Sequence, residues 1–119
     1  MSDIYARQLV TLLRGRRLPV THEKDRVQPA IAEVLTEAGI SFEREYRLDK
    51  HNIVDFLVGE IGIEVKVKGS KLNIFRQVER YAGFDTIQHL ILVTNVPMGM
   101  PADINGKPVL IVNLAKAWL

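Results

Sequence analysis

The dipeptide Gly59-Glu60 sits in the middle of the most β-prone run of the chain, NIVDFLVGEIGIEVKVK (52–68). A two-residue loop with Gly in first place marks a type II′ hairpin, because its backbone twist matches that of the flanking strands. This turn fixes a register in which Val58 pairs with Ile61, Leu57 with Gly62, Phe56 with Ile63, and Asp55 falls opposite Glu64. Side chains alternate along a strand, so Lys66 joins Glu64 on one face while Ile61, Ile63, Val65 and Val67 point to the other. The hairpin thus separates a chemical face from a core face. Acids directly opposed, with Cβ atoms roughly 4.5–5.5 Å apart, destabilise a sheet, and something positive is expected between them.

A carboxylate pair beside a backbone carbonyl, without histidine or cysteine, is a hard-oxygen donor set suited to Mg²⁺ or Mn²⁺ rather than zinc. Magnesium keeps several waters and uses one or two protein carboxylates, which leaves positions for a phosphate oxygen and a nucleophilic water. Those are the needs of phosphodiester hydrolysis, and Lys66 is placed to lower the pKa of that water or to neutralise charge on the phosphorus. On spacing alone the same residues also fit an exposed hairpin carrying an ordinary Glu-Lys pair worth about 0–1 kcal/mol.

Composition narrows the setting. The 119 residues, 47% of them hydrophobic, suffice for one core and one domain. The absence of cysteine removes disulfides and thiolate zinc sites, and the three histidines, His22, His51 and His89, have no metal-ligand spacing. A net charge of +2 and a pI near 9.0 permit a polyanionic partner without requiring one. There is no 18-residue apolar run, and MSDIYARQLV carries charges where a signal peptide needs an apolar stretch, so a soluble, cytoplasmic protein without membrane contact is expected.

Periodicity supplies the remaining elements. DIYARQLVTLLRG reads as an amphipathic helix with Ile4, Leu9, Leu12 and Leu13 near helical spacing, and the basic loop GRRLPV follows. From Thr21 to Ala38, Val27, Ala30, Ile31, Val34, Leu35 and Ala38 mark a second helix, with Thr21 as N-cap and Gly39 as its stop. Pro29 predicts a kink there or a start only near Gln28. At 100° per residue Glu23 falls within the apolar stripe and needs a partner. SFEREYRL alternates as a strand and LDKHN ends it; after the hairpin, Ser70 caps a helix running to about Phe84. HLILVTN is a further strand, VPMGMPADINGKP a loop whose Met98 and Met100 fit either a contact element or core filling, VLIVNL a last strand, and AKAWL a short closing helix. The order α-α-β-β-β-α-β-β-α predicts an α/β domain with a central mixed sheet flanked by helices. Residues 1–20 form its N-terminal helix and basic loop, 21–95 its core, and 96–119 the loop, last strand and closing helix.

Asp55, followed after eight residues by Glu64-Val65-Lys66 within a hairpin, and preceded by a helix bearing Glu23, resembles the PD-(D/E)xK nuclease superfamily. Val54 stands where the family name has proline. RQVERY places Gln77 and Tyr81 at i and i+4, similar to the QxxxY motif of RecB-like members, and HEKDRVQPAIAEVLTEAGI looks like the first helix of the virus-type replication-repair (VRR-NUC) and Holliday-junction-resolvase-like branches. The likeness covers Thr21 to Asn95.

The resemblance implies a restriction-endonuclease-like core and hydrolysis of DNA phosphodiesters by a metal-activated water. Mg²⁺ is the implied cofactor, with Mn²⁺ able to substitute. Asp55, Glu64 and the Val65 carbonyl are the implied ligands and Lys66 the catalytic lysine. Glu23 would orient a water or bind a second metal, with Glu33 and Glu37 as alternatives for that part, and Gln77 and Tyr81 would position the scissile phosphate. Lys68, Lys71, Arg76 and Arg80 beside the hairpin, with Arg16 and Arg17 in the basic loop, are the expected nucleic-acid contacts. His22 is expected to be structural or a phosphate contact, and His51 and His89 to have no catalytic role. Branched or single-stranded DNA cut by a homodimeric endonuclease is one further expectation, and an inactive nucleic-acid-binding module another.

Overall fold

The computed structural model describes residues 2–118; Leu119, the end of the expected closing helix, lies outside them. Helix α1 spans Ser2–Arg14. Its buried stripe is Ala6, Leu9, Val10 and Leu13, spaced by three and four residues as an amphipathic helix requires, whereas Ile4 is 65% exposed and Leu12 half-buried. The expected stripe is therefore rotated, and Ile4 lies outside it.

The second helix begins with a wide π-helical turn, Glu23–Val27, in which the Arg26 and Val27 amides both donate to the His22 carbonyl, at 2.9 and 3.1 Å. Helix α2 proper is Gln28–Glu37. Pro29 therefore lies in its first turn, where a missing N–H costs no bond. Thr21 is not the cap. His22 takes the flanking position with φ 62°, and Thr21 Oγ1 instead lies 2.9 Å from His22 Nδ1.

Among the described residues six strands form one mixed sheet in the order β1-β2-β3-β4-β6-β5. They are β1 (Glu43–Arg47), β2 (Ile53–Val58), β3 (Ile61–Lys66), β4 (His89–Thr94), β5 (Asp103–Ile104) and β6 (Lys107–Asn113). Strands β3, β4 and β6 are parallel, and β1, β2 and β5 extend the sheet antiparallel at either side. Helix α3 (Lys71–Tyr81) crosses over between β3 and β4, and the Ser70 hydroxyl accepts the Asn73 amide at 3.2 Å as its N-cap.

The Pro/Gly-rich segment expected as a loop contains a hairpin. Asn105 and Gly106, with φ 56° and 73°, join β5 to β6, because a type I′ turn needs positive φ at both central residues. The chain closes in a 3₁₀ segment, Leu114–Trp118, in place of the expected α-helix.

Both faces of the sheet are covered, which explains the nearly unbroken apolar runs of its central strands. Helices α1 and α2 pack with Phe56, Val58, Ile61, Ile63 and Val65 on one face; α3 packs with Val54, Leu57, Leu90 and Leu92 on the other. The face expected to be purely chemical is thus a second core layer with the acids set into it. The Cα radius of gyration of 13.0 Å matches one domain of this length, about 13.5 Å.

Gly62, at the centre of the α3 side, has no room for a side chain: a Cβ there would lie 3.0 Å from Ile87 Cδ1, 3.3 Å from Leu90 Cδ2 and 3.4 Å from Val54 Cγ2. Gly62→Val is expected to lower stability by about 1–3 kcal/mol through overpacking, measured from urea unfolding midpoints at unchanged slope.

Candidate active site

The β2–β3 register is the expected one, with Val58↔Ile61, Leu57↔Gly62 and Phe56↔Ile63, and Gly59 takes φ 60° at the first turn position. The ladder stops one residue before the acids. Asp55 and Glu64 are not a ladder pair, and neither are Glu45 and Asp55 on the β1 side, although pairing resumes at Tyr46↔Val54. Glu45 has φ 50°, a left-handed conformation that rolls the edge over. Val54 packs with α3 while Phe56 and Val58 pack on the opposite face, so alternation reverses at Asp55. For the same reason Phe42, just before β1, and Tyr46 within it, which strict alternation of SFEREYRL would set on one face, pack against opposite layers.

The carboxylates fill the interruption. Asp55 Oδ2 accepts the Val65 amide at 2.8 Å, and Glu64 Oε1 accepts the Asp55 amide at 3.1 Å. A residue's N–H and C=O leave a strand on the same side, so the Val65 carbonyl points toward β2 with its amide. Asp55, Glu64 and that carbonyl converge at the break.

Two further contacts orient Glu64, which is 3% exposed. Lys66 Nζ lies 3.8 Å from Oε2, and the Tyr81 hydroxyl lies 3.5 Å from the same oxygen. That hydroxyl is also 2.8 Å from the Ile53 carbonyl and accepts from Gln77 Nε2 at 2.8 Å. Gln77 and Tyr81 do share a helix face. Tyr81 is 1% exposed, however, so it braces Glu64 and β2 from beneath rather than meeting a phosphate in the open.

Of the three upstream glutamates, Glu23 is the one brought here. Its Oε1 accepts the Val67 amide at 2.6 Å, which supplies the partner its half-buried position requires. Glu37 pairs with Arg16 at 3.4 Å and Glu33 is exposed on α2. Among the described residues no three His, Cys, Asp or Glu side chains are grouped so as to hold one ion. Glu23 lines a cleft of about 540 Å³ with Thr21, His22, Lys66, Val67 and Lys68, and Lys66 links this cleft to the acid pair.

Lys71 and Arg76 are exposed on α3, and Arg80 reaches Asn52 Oδ1 at 3.4 Å. Arg16 is bound at the carboxyl end of α2, about 15 Å along that helix from its start, and Arg17 lies over the Trp118 ring. His51 is exposed in the turn after β1, and His89 is buried at the start of β4. Two supporting residues escaped the sequence reading. Thr94 Oγ1 donates to the Lys66 carbonyl at 2.6 Å and accepts the Val96 amide at 3.0 Å, and Asn95 Nδ2 reaches the Val20 carbonyl at 3.5 Å. A buried hydroxyl at the end of the otherwise apolar run HLILV was the available signal for Thr94.

Burial, followed by the charge of Asp55, pushes the Glu64 carboxyl from an ordinary 4.5 to about 9. Asp55 is also raised, chiefly by burial and against the pull of the Val65 amide and Lys66. Burying an ionised carboxylate costs several kcal/mol, and a partly exposed ion pair returns about 0–1 kcal/mol. Lys66, with 27% of its side chain exposed, does not offset the pair. A divalent cation would, and an all-oxygen donor set of two carboxylates and a carbonyl fits Mg²⁺ or Mn²⁺. Burial places the Tyr81 hydroxyl above the usual tyrosine range, so it remains a neutral donor.

Compared with known protein families, curated proteins and solved structures, the chain matches none.

The raised Glu64 pKa has a definite sign in stability. The folded chain keeps this proton up to about pH 9, whereas the unfolded chain releases it near 4.5, so between these values the folded state binds more protons and rising pH favours unfolding. Metal-free protein is expected to lose stability across that window, and Glu64→Gln to flatten the loss. Thermal midpoints in chelator across pH 5–9 check it; parallel profiles for the two proteins would contradict the burial argument.

Proposed function

We propose that the protein is a divalent-metal-dependent nuclease that hydrolyses DNA phosphodiesters, a small member of the PD-(D/E)xK type. The observation that carries this reading is the convergence of Asp55, Glu64 and Lys66 at the break in the β2–β3 ladder, with Glu23 tied to the next residues of the same strand. Packing alone gives no reason to bury two acids against each other. The hairpin leading through α3 into the parallel strand β4 also has the order expected of a restriction-endonuclease-like core.

In this reading Asp55, Glu64 and the Val65 carbonyl hold the ion. When bound, the ion acts as a Lewis acid on the phosphate and lowers the pKa of a water. The backbone amides fix one oxygen of each carboxylate, and the second Glu64 oxygen, which faces Lys66 and the Tyr81 hydroxyl, would turn to the ion as the Glu64 proton leaves. Lys66 sets its ammonium between the acids and the cleft, where charge develops on the phosphoryl oxygens as the bond to water forms and the bond to the leaving oxygen breaks. Glu23, held by the Val67 amide, orients water on the cleft side. Tyr81 and Gln77 keep Glu64 in place.

Purified protein is expected to cut DNA with Mg²⁺ or Mn²⁺ and not with chelator. Lys66→Ala and Asp55→Ala should each lose a factor of about 10² or more in rate, the loss typical of removing one preorganised charge-stabilising group, with circular dichroism unchanged. Cleavage at the wild-type rate by both variants would refute the assignment. Running linear, nicked, single-stranded and four-way substrates side by side defines the preferred structure.

A further inference from the structure

The parallel strands β3, β4 and β6 end on one edge of the sheet, with Lys66 in register with Thr94 and Thr94 with Asn113. At about 4.8 Å per strand spacing, the end of β6 lies roughly 10 Å from Lys66 along that edge. Crevices outside the carboxyl ends of parallel strands are the usual ligand sites of open α/β sheets. A cavity of about 560 Å³ opens at the end of β6. Leu13, Leu18 and Met98 contribute to an apolar lining, and Arg14, Arg16 and Lys116 add three cationic side chains.

The basic groups are anchored where they stand. Arg14 Nη2 donates to the Ile111 carbonyl of β6 at 2.7 Å, which fixes the guanidinium and leaves other donors of its five. Arg16 shares its charge with the exposed Glu37. Beside them the Trp118 indole donates Nε1–H to the Leu18 carbonyl at 3.0 Å, so an aromatic that is 53% exposed is held in one orientation, with the Arg17 guanidinium 5.7 Å from its ring centroid. A fixed, exposed aromatic among cations next to an apolar hollow has the chemistry of a single-strand nucleic-acid platform, in which bases stack and phosphates meet Arg and Lys.

We infer that this end of β6 is a second nucleic-acid contact, at which an unstacked nucleotide of the strand crossing Lys66 lays its base against the exposed Trp118 ring at the mouth of this cavity and its phosphate among Arg14, Arg16 and Lys116. The inference rests on the nuclease reading for its substrate and deepens it: a base paired inside a duplex cannot reach that ring, so single strands and unpaired ends are preferred over continuous duplex.

Trp118 is the sole tryptophan of the chain, and its emission therefore reports on this place alone. Wild-type protein in chelator is titrated with a thymidine oligonucleotide and with a duplex of equal length, following Trp118 emission and oligonucleotide anisotropy together. Single strand is expected to change the emission saturably at the same midpoint as the anisotropy, and duplex to bind several-fold more weakly. Lys116→Glu, an exposed change, should weaken single-strand binding about tenfold and reduce the salt slope by about one; Arg14→Gln should act in the same direction. Single strand that binds and is cleaved without changing Trp118 emission, with unaltered affinity in Lys116→Glu, overturns this inference and leaves the nuclease reading intact. A Trp118 response and a weakened variant without cleavage in Mg²⁺ uphold the contact and overturn the nuclease reading, whereas no binding and no cleavage overturn both.

Discussion

The reciprocal exchange between Asp55 and Glu64 is the interaction on which the site depends. Each carboxylate takes a backbone amide of the facing strand segment in place of a ladder carbonyl, Asp55 from Val65 and Glu64 from Asp55 itself. An amide hydrogen bond to a charged acceptor contributes about 1.5–3 kcal/mol, less than the several kcal/mol by which burial disfavours each charge, and both carboxyls are accordingly raised. The balance leaves the acids close and short of positive charge. A break in the ladder normally weakens a sheet; here side chains occupy the vacated bonding positions, and the site is part of the sheet it interrupts.

The surrounding structure holds that arrangement from three directions. From below, Tyr81 and Gln77 of α3 reach Glu64 and the Ile53 carbonyl. From the side, Thr94 and Asn95 at the end of β4 fix the Lys66 carbonyl and the segment before His22. From above, the π-helical turn presents Glu23 to Val67. A regular α-helix through residues 23–28 would change the angular relation of Glu23 to Val27 and Ile31, since a wider turn advances each residue by less than 100°. The π turn therefore lets Val27 and Ile31 pack in the core while Glu23 reaches the end of β3.

What was legible in the sequence was set by short-range rules. Gly59-Glu60 determined the hairpin register, Ser70 the start of α3, and the i, i+4 spacing of Gln77 and Tyr81 their shared face. What was not legible depends on tertiary context. The reversal of alternation at Asp55 needs the left-handed Glu45 on the neighbouring strand, and no pattern within β2 alone signals it. The π turn arises because Pro29 must lie in a first helical turn while His22 leaves the preceding loop at φ 62°. Asn105-Gly106 is a strong local hairpin signal, and it was masked by the Pro and Gly residues upstream of it. The spacing of the basic loop from the acids has no local signal either, and folding sets Arg16 against Glu37 at the carboxyl end of α2.

The central claim is that the buried acid pair is a divalent-cation site. Crystals soaked in Mn²⁺ and measured at a wavelength where manganese scatters anomalously test it most directly. The account predicts one anomalous peak within coordination distance of Asp55, Glu64 and the Val65 carbonyl, with the carboxylates still anchored to the Val65 and Asp55 amides. Crystals that show Mn²⁺ elsewhere or not at all, with Asp55 and Glu64 in hydrogen-bonding contact with each other, would contradict it.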